Sequence, residues 1–221
     1  YLATGELNVL NRRMELTAVR RDGTPLPVEV LVSPLSIDGK TIFSAFLHDI
    51  TERKQVEAIR EHEATHDPLT GLLNRRGMFD LLSQAIARVK RTRASLALLF
   101  IDLDGFKQIN DTHGHEAGDA VLREVAARLQ ASIRQTDTAV RLGGDEFTVI
   151  LENIKHGISD ATMLAQKILE TLQHPIQLDS VTATISASIG ISMYHPYDER
   201  SADQLVNAAD SAMYTAKHAG K

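Results

Sequence analysis

The chain has 221 residues, enough for one or two domains. Its 24 Lys and Arg against 29 Asp and Glu give a net charge of −5, which argues against a broad nucleic-acid-binding face. Cysteine is absent, which excludes disulfide frameworks, thiolate nucleophiles and cysteine zinc sites, and 43% apolar with 24% charged residues is a globular rather than disordered balance. The longest strongly apolar run, 96–101, is far too short to span a bilayer, so no membrane contact is expected within the chain. The first residue is Tyr1 and no leader segment follows it, so the chain is expected to be a piece of a longer polypeptide.

The first fifty residues read as strands. Val28, Val30 and Val32 alternate with Glu29, Leu31 and Ser33, and Asp22-Gly23 and Asp38-Gly39 are turn signals. With Ile42, Phe43, Phe46 and Leu47 they predict a three-stranded antiparallel meander ending near Ile50. So small a sheet is marginal alone. Residues 51–66 are rich in Glu, Lys, Gln, Arg and Ala and free of Gly and Pro, which predicts a helix ended by Asp67-Pro68. Its apolar stripe is only Val56 and Ile59, which fits either a solvated linker or a helix pairing with a second copy. Residues 67–221 then read as one larger domain. Met78, Phe79, Leu82, Ile86 and Val89 mark a helix, 96–101 a buried strand, and Val121, Leu122, Val125, Ala126 and Leu129 a second helix. Residues 140–142 and 147–151 flank Gly143-Gly144 as a hairpin. Leu164, Ile168 and Leu172 mark a third helix stopped near Pro175, 181–193 a cleanly alternating strand, and Leu205, Val206, Ala209 and Met213 a last helix. The expected class is α/β or α+β, a sheet covered by helices.

Three acidic or histidine patterns could carry chemistry. His62-Glu63-Ala64-Thr65-His66 has the spacing of a helical zinc site, but a third ligand and a cleft are required, and the helix reads as an exposed linker. Asp102-Leu103-Asp104 ends the buried strand, where carboxylates are costly unless they face solvent or a cation. Oxygen ligands of this kind suit Mg²⁺ with substrate phosphates, and the plainer reading is a polar turn. Arg141-Leu142-Gly143-Gly144-Asp145-Glu146-Phe147 puts two more carboxylates at a hairpin tip, where the bland alternative is solubility. Together the two clusters suggest a shared metal site for phosphoryl transfer. No GxxxxGK[ST] or GxGxxG loop is present.

Gly143-Gly144-Asp145-Glu146-Phe147 is letter for letter the GGDEF signature of diguanylate cyclase domains. The surrounding segments also resemble that family: Asp67-Pro68-Leu69-Thr70-Gly71-Leu72-Leu73-Asn74-Arg75-Arg76, the stretch 102–111, Gly114-His115, Gly118-Asp119 and Met213-Tyr214-Thr215-Ala216-Lys217. The resemblance covers 67–221 and leaves His62 incidental. Before it, Arg21-Asp22-Gly23-Thr24, Pro27-Val28-Glu29-Val30 and the stretch 46–54 resemble the second half of a PAS domain. The implied division is 1–50 PAS fragment, 51–66 linker helix and 67–221 cyclase domain.

The resemblance implies a fold like the polymerase palm and the nucleotidyl cyclases. It implies condensation of two GTP into cyclic di-GMP with release of two pyrophosphates. By likeness Asp102, Asp145 and the Leu103 carbonyl hold Mg²⁺ or Mn²⁺, and Glu146 either holds a second metal or assists deprotonation. Either Asp145 or Glu146 is the base. Asn110 and Asp119 match guanine-binding positions, with His115 nearby; for Asp119 the plainer role is a helix N-cap. Backbone groups of Gly105, Phe106 and Lys107 would cradle phosphates, Lys107 and Lys217 would neutralise them, and Lys221 matches a last phosphate position. Gly143 and Gly144 would let the backbone approach the nucleotide. Arg134-Gln135-Thr136-Asp137 matches the RxxD inhibitory product site, with a gap of five residues before Gly143. One domain holds one GTP, so a homodimer through the linker helix and PAS part is implied, in the cytoplasm, with any membrane anchor upstream. The alternative is a catalytically inactive receptor for GTP or cyclic di-GMP. A class III type nucleotidyl cyclase is disfavoured by the motif set.

Overall fold

The computed structural model describes residues 11–38, 40–178 and 181–219. The backbone divides into two compact units, Tyr1–His62 and Glu63–Lys221. In the first, β1 (Arg13–Val19), β2 (Pro25–Ile37) and β3 (Lys40–Asp49) form an antiparallel sheet in the order β1-β2-β3. The Asp22-Gly23 turn forms as expected, with Gly23 N–H donating to Arg20 O at 2.9 Å. Asp38 ends β2 at a φ of +48°; Gly39 lies outside the described residues. Helix α1 (Thr51–Thr65) starts where Asp49 caps it, accepting from Thr51 N–H at 2.9 Å. None of its residues is buried.

The second unit is built on a four-stranded sheet in the order β5-β6-β4-β9. Its strands are β4 (Ser95–Asp104), β5 (Thr138–Gly143), β6 (Glu146–Ile154) and β9 (Ser186–Tyr194), all paired antiparallel. The open choice of class is thereby settled as α+β. The centre of β4 has an apolar residue at every position, as a strand covered on both faces requires. Its Ala97, Leu99, Ile101 and Leu103 join a core with α4 (His115–Ser132) and α5 (Ile158–Gln173). Its Leu96, Leu98 and Phe100 join a core on the opposite face with α2 (Arg75–Thr92) and α6 (Ala202–His218). Gly190 on β9 lets α6 press against the sheet, since a Cβ there would stand 2.1 Å from the Ala209 carbonyl oxygen.

One sequence expectation needs correction, and one element was not foreseen. The single strand expected over 181–193 is two. β8 (Val181–Ala183) turns away to pair with β7 (Ile176–Leu178), and β9 begins only at Ser186. The stretch between β4 and α4, which had no assigned element, is helix α3 (Phe106–His113). Its apolar residues are only Phe106, which is buried, and Ile109, which packs against the same core, too short a pattern to mark a helix.

Candidate functional site

Asp102 sits near the C-terminal end of β4, paired across the ladder with Glu146 on β6 and Ser188 on β9. The next residue, Leu103, has a buried side chain, so only its backbone can serve a ligand. Its N–H donates to the Asp145 carbonyl at 3.3 Å, which fixes the hairpin tip beside the end of β4. The tip itself turns through Gly143 and Gly144, with φ of +144° and +53°, values that disfavour any side chain. The two acidic clusters of the sequence therefore meet.

Charge in this corner is unevenly balanced. Burial pushes the Glu146 carboxyl above its ordinary pKa, and Asp210, Asp102 and Asp145 add to the rise, while Arg75 at 3.7 Å opposes it. Lys217 reaches back from α6 to place its Nζ 2.5 Å from Asp102 Oδ1. That bond, with further attraction from Asp104 and Asp145, raises the pKa of the ammonium against the effect of burial. Asp104 is held separately, accepting from the hydroxyls of Ser186 and Ser188 at 3.3 and 3.1 Å.

The donor set suits a hard cation of modest appetite. Among the described residues no three His, Asp or Glu side chains gather closely enough to hold a metal by themselves. Mg²⁺ commonly takes one or two carboxylates and completes its shell with water and substrate phosphates, so Asp102, Asp145 and the Leu103 carbonyl fit it. The same observation leaves the His62/His66 pattern without a third ligand. His66 Nδ1 instead lies 3.0 Å from Thr65 Oγ1.

The remaining predicted residues fall in two places. Gly105 caps α3 with a φ of +79°, Phe106 is buried as the first helical residue, and Lys107 is exposed beside it. Asn110 lies later on α3, and His115 and Asp119 lie on α4, which packs against it. Helix α4 starts at His115 behind Gly114, so Asp119 is inside the helix and not its N-cap. Gly118 makes room for Asn110, since a Cβ there would come within 1.9 Å of Asn110 Oδ1. Arg134 and Asp137 lie apart from these, in the connection to β5. Asp137 closes that turn by accepting from the Arg134 N–H at 3.2 Å. Both line a cavity of about 290 Å³ with Ser132, Glu152 and Lys167. Lys221 lies outside the described residues.

Sequence reasoning assigned no role to the supports of the tip. Arg141 Nη1 lies 3.0 Å from both oxygens of Asp67, and its Nε and Nη2 donate to the Gly144 carbonyl. Arg75 and Asp210, which set the charge around Glu146, were also unassigned. Asp67 and Arg141 each stood inside a quoted motif, but nothing local joins residues 74 positions apart.

Residues 64–221 match the family model described as "Diguanylate cyclase, GGDEF domain". The chain is 39% identical over 218 residues to the diguanylate cyclase TpbB of Pseudomonas aeruginosa, covering 96% of this chain and 49% of that protein. Among solved structures, a sensory box/GGDEF family protein from Caulobacter crescentus aligns with a TM-score of 0.67 and 45% identity, over 71% of this chain and 99% of that one. The GGDEF domain of DgcB from Caulobacter crescentus, solved in complex with c-di-GMP, aligns with a TM-score of 0.66 and 30% identity, over 72% of this chain and 92% of that one. The chain spans between about a quarter and a half of the length of curated relatives that it matches.

Proposed function

The chain belongs to the diguanylate cyclase GGDEF family, and on that premise we propose that it condenses two GTP into cyclic di-GMP and two pyrophosphates. The observation that carries this reading is the bond from Leu103 N–H to the Asp145 carbonyl. It brings the carboxylates of two distant motifs to one corner, beside the open N-terminus of α3. In this reading Asp102, Asp145 and the Leu103 carbonyl hold Mg²⁺ or Mn²⁺. The ion supplies charge that polarises the α-phosphate and lowers the pKa of the attacking 3′-hydroxyl.

The chain's own residues do the rest. Asn110 and Asp119 bind the guanine edge, where a carboxylate facing the ring N–H donors disfavours adenine. The backbone of Gly105, Phe106 and Lys107 receives the outer phosphates, and Lys107 and Lys217 neutralise them. Gly143 and Gly144 let the nucleotide approach the backbone. Glu146, paired across the ladder with Asp102, either holds a second metal or assists deprotonation of the hydroxyl, and Asp145 stands beside it as the other candidate base. Two such domains face each other in a homodimer, each contributing one GTP. Residues 1–50 are the end of a PAS sensor, and 51–66 are the linker helix that joins the copies. The reaction belongs to the cytoplasm, where GTP is available; no helix among the described residues is long and apolar enough to cross a membrane. Cyclic di-GMP returns to Arg134 and Asp137, where Arg can fork onto a phosphate, and inhibits.

Incubation with Mg²⁺ and GTP, followed by the mass of the product, tests the activity. Cyclic di-GMP is expected, and Asp145→Ala should abolish it with the fold intact. GTP binding without turnover in the unaltered chain would return the receptor reading instead. Arg134→Ala should raise the final yield, and unchanged product inhibition would remove the RxxD assignment.

A further inference from the structure

Lys217 stands on the carboxylate that the proposed metal needs. Its Nζ lies 2.5 Å from Asp102 Oδ1, with the Asp102 side chain only 15% exposed. Mg²⁺ takes oxygen ligands at about 2.0–2.1 Å. Bound to Asp102 it would bring its double charge against the ammonium at the shortest range the site allows, and that repulsion is strong where water is partly excluded. The rest of α6 does not have to move to relieve it. Leu205, Val206, Ala209 and Met213 anchor the helix in the core. Lys217 lies one turn beyond Met213 on a flexible four-carbon stem.

We propose that Lys217 is an internal competitor of the divalent ion at Asp102, and that it thereby makes metal and nucleotide bind as a pair. This rests on Asp102 being a metal ligand. Without nucleotide, an arriving ion displaces Lys217 from its best partner and gains nothing to hold it. With nucleotide, the phosphates offer Lys217 a new anionic partner, so displacement is compensated. The two ligands then favour each other, reciprocally, through one side chain. A site built this way resists loading with metal alone, and it fills when the substrate arrives.

The test is titration of Mn²⁺, followed by calorimetry or by its paramagnetic resonance, into the unaltered chain, K217M, K217R and D102N. Each is measured alone and with a non-hydrolysable GTP analogue. K217M should bind Mn²⁺ alone about tenfold tighter than the unaltered chain, a change of ~1.4 kcal/mol. K217R keeps the charge and should stay near the unaltered chain. The analogue should tighten Mn²⁺ binding to the unaltered chain and do so much less in K217M. K217Q serves if K217M does not fold, as judged by circular dichroism. Mn²⁺ affinity in K217M or K217Q no tighter than in the unaltered chain overturns the competition. D102N separates the two readings. If it loses Mn²⁺ binding while the Lys217 variants gain none, only the competition fails. If it binds Mn²⁺ like the unaltered chain, the metal assignment fails and the competition with it.

Discussion

The meander β1-β2-β3 and the central sheet β5-β6-β4-β9 are both antiparallel, and both carry apolar side chains on both faces. In the meander, Ile42 and Phe46 on one face of β3 are 49% and 66% exposed, and Phe43 and Leu47 on the other are 39% and 63% exposed. In β4, residues Leu96 through Ile101 are all 4% exposed or less. The sequences are comparably apolar; what differs is cover. Helices α2 and α6 close one face of the central sheet, and α4 and α5 close the other. Apolar alternation makes a strand, but only a second layer turns it into stability. The second unit should therefore carry nearly all of the chain's folding free energy, and paired substitutions in the two sheets can break or sharpen that contrast.

Glycine gives the largest contrast. A methyl group at Gly190 would meet the backbone of Ala209 and Met213 at 2.1 Å, and a backbone cannot rotate aside as a side chain does. Gly190→Ala should cost more than about 4 kcal/mol and leave no cooperative thermal transition for the second unit. Gly23, in the first turn of the meander, has no neighbour within 4 Å of such a methyl, and only its φ of +86° is at stake. Gly23→Ala should cost about 1 kcal/mol. Calorimetry of both variants checks this, and an ordinary transition in Gly190→Ala would mean that α6 is not pressed against β9.

The same physical distinction explains what could be read from the sequence. Local signals were legible. The apolar run at 96–101, the stripes of α2, α4, α5 and α6, and the hairpin at Gly143-Gly144 all arise from neighbours within a few residues. The carboxylates of Asp102, Asp145 and Glu146 stood out for the same reason. The split between β8 and β9 did not, because alternation reports which way side chains face and not which strand they pair with. Helix α3 was hidden by its shortness. Arg75 and Asp210 around Glu146, Arg141 on Asp67 and Lys217 on Asp102 were invisible as pairs, since each joins parts of the chain brought together only by the sheet and its helices.

A second contrast sets a buried side chain against an exposed one. Ile101 is fully buried at the centre of β4, opposite Phe147 and Ile189. Ile101→Ala leaves a cavity that the surrounding strands cannot collapse into and should cost about 3–4 kcal/mol. Phe46→Ala removes a larger side chain from the meander, yet most of its surface is already in water, and its cost should stay below about 0.5 kcal/mol. Denaturant midpoints of the two variants give the comparison directly. A Phe46→Ala loss as large as that of Ile101→Ala would show that something covers the meander in solution.

The smallest contrast lies in the ion pairs, and it depends on pH. Arg141 and Asp67 in the second unit have side chains only 10% and 16% exposed, whereas Arg13, paired with Glu29 across the meander, is 74% exposed. Burial alone would raise the Asp67 carboxyl, but hydrogen bonds from Thr70 and from Arg141 outweigh it and hold its pKa below the ordinary value. An acid with a lowered pKa in the folded state stabilises the fold above its unfolded pKa of about 3.9. That contribution is lost as the pH falls below about 4, towards the folded value. Arg141→Ala should therefore cost about 2–3 kcal/mol at pH 7, because it strips a half-buried carboxylate of its partner and frees the Gly144 carbonyl. The gap to the unaltered chain should narrow as the pH drops below 4. Arg13→Ala should change stability by well under about 1 kcal/mol at any pH, since water and salt already screen that pair. Thermal melts of both variants between pH 3 and 7 measure the two slopes. If the Arg141→Ala gap stays constant across that range, Asp67 is not the group through which Arg141 holds the tip, and the bonds to the Gly144 carbonyl carry the effect alone.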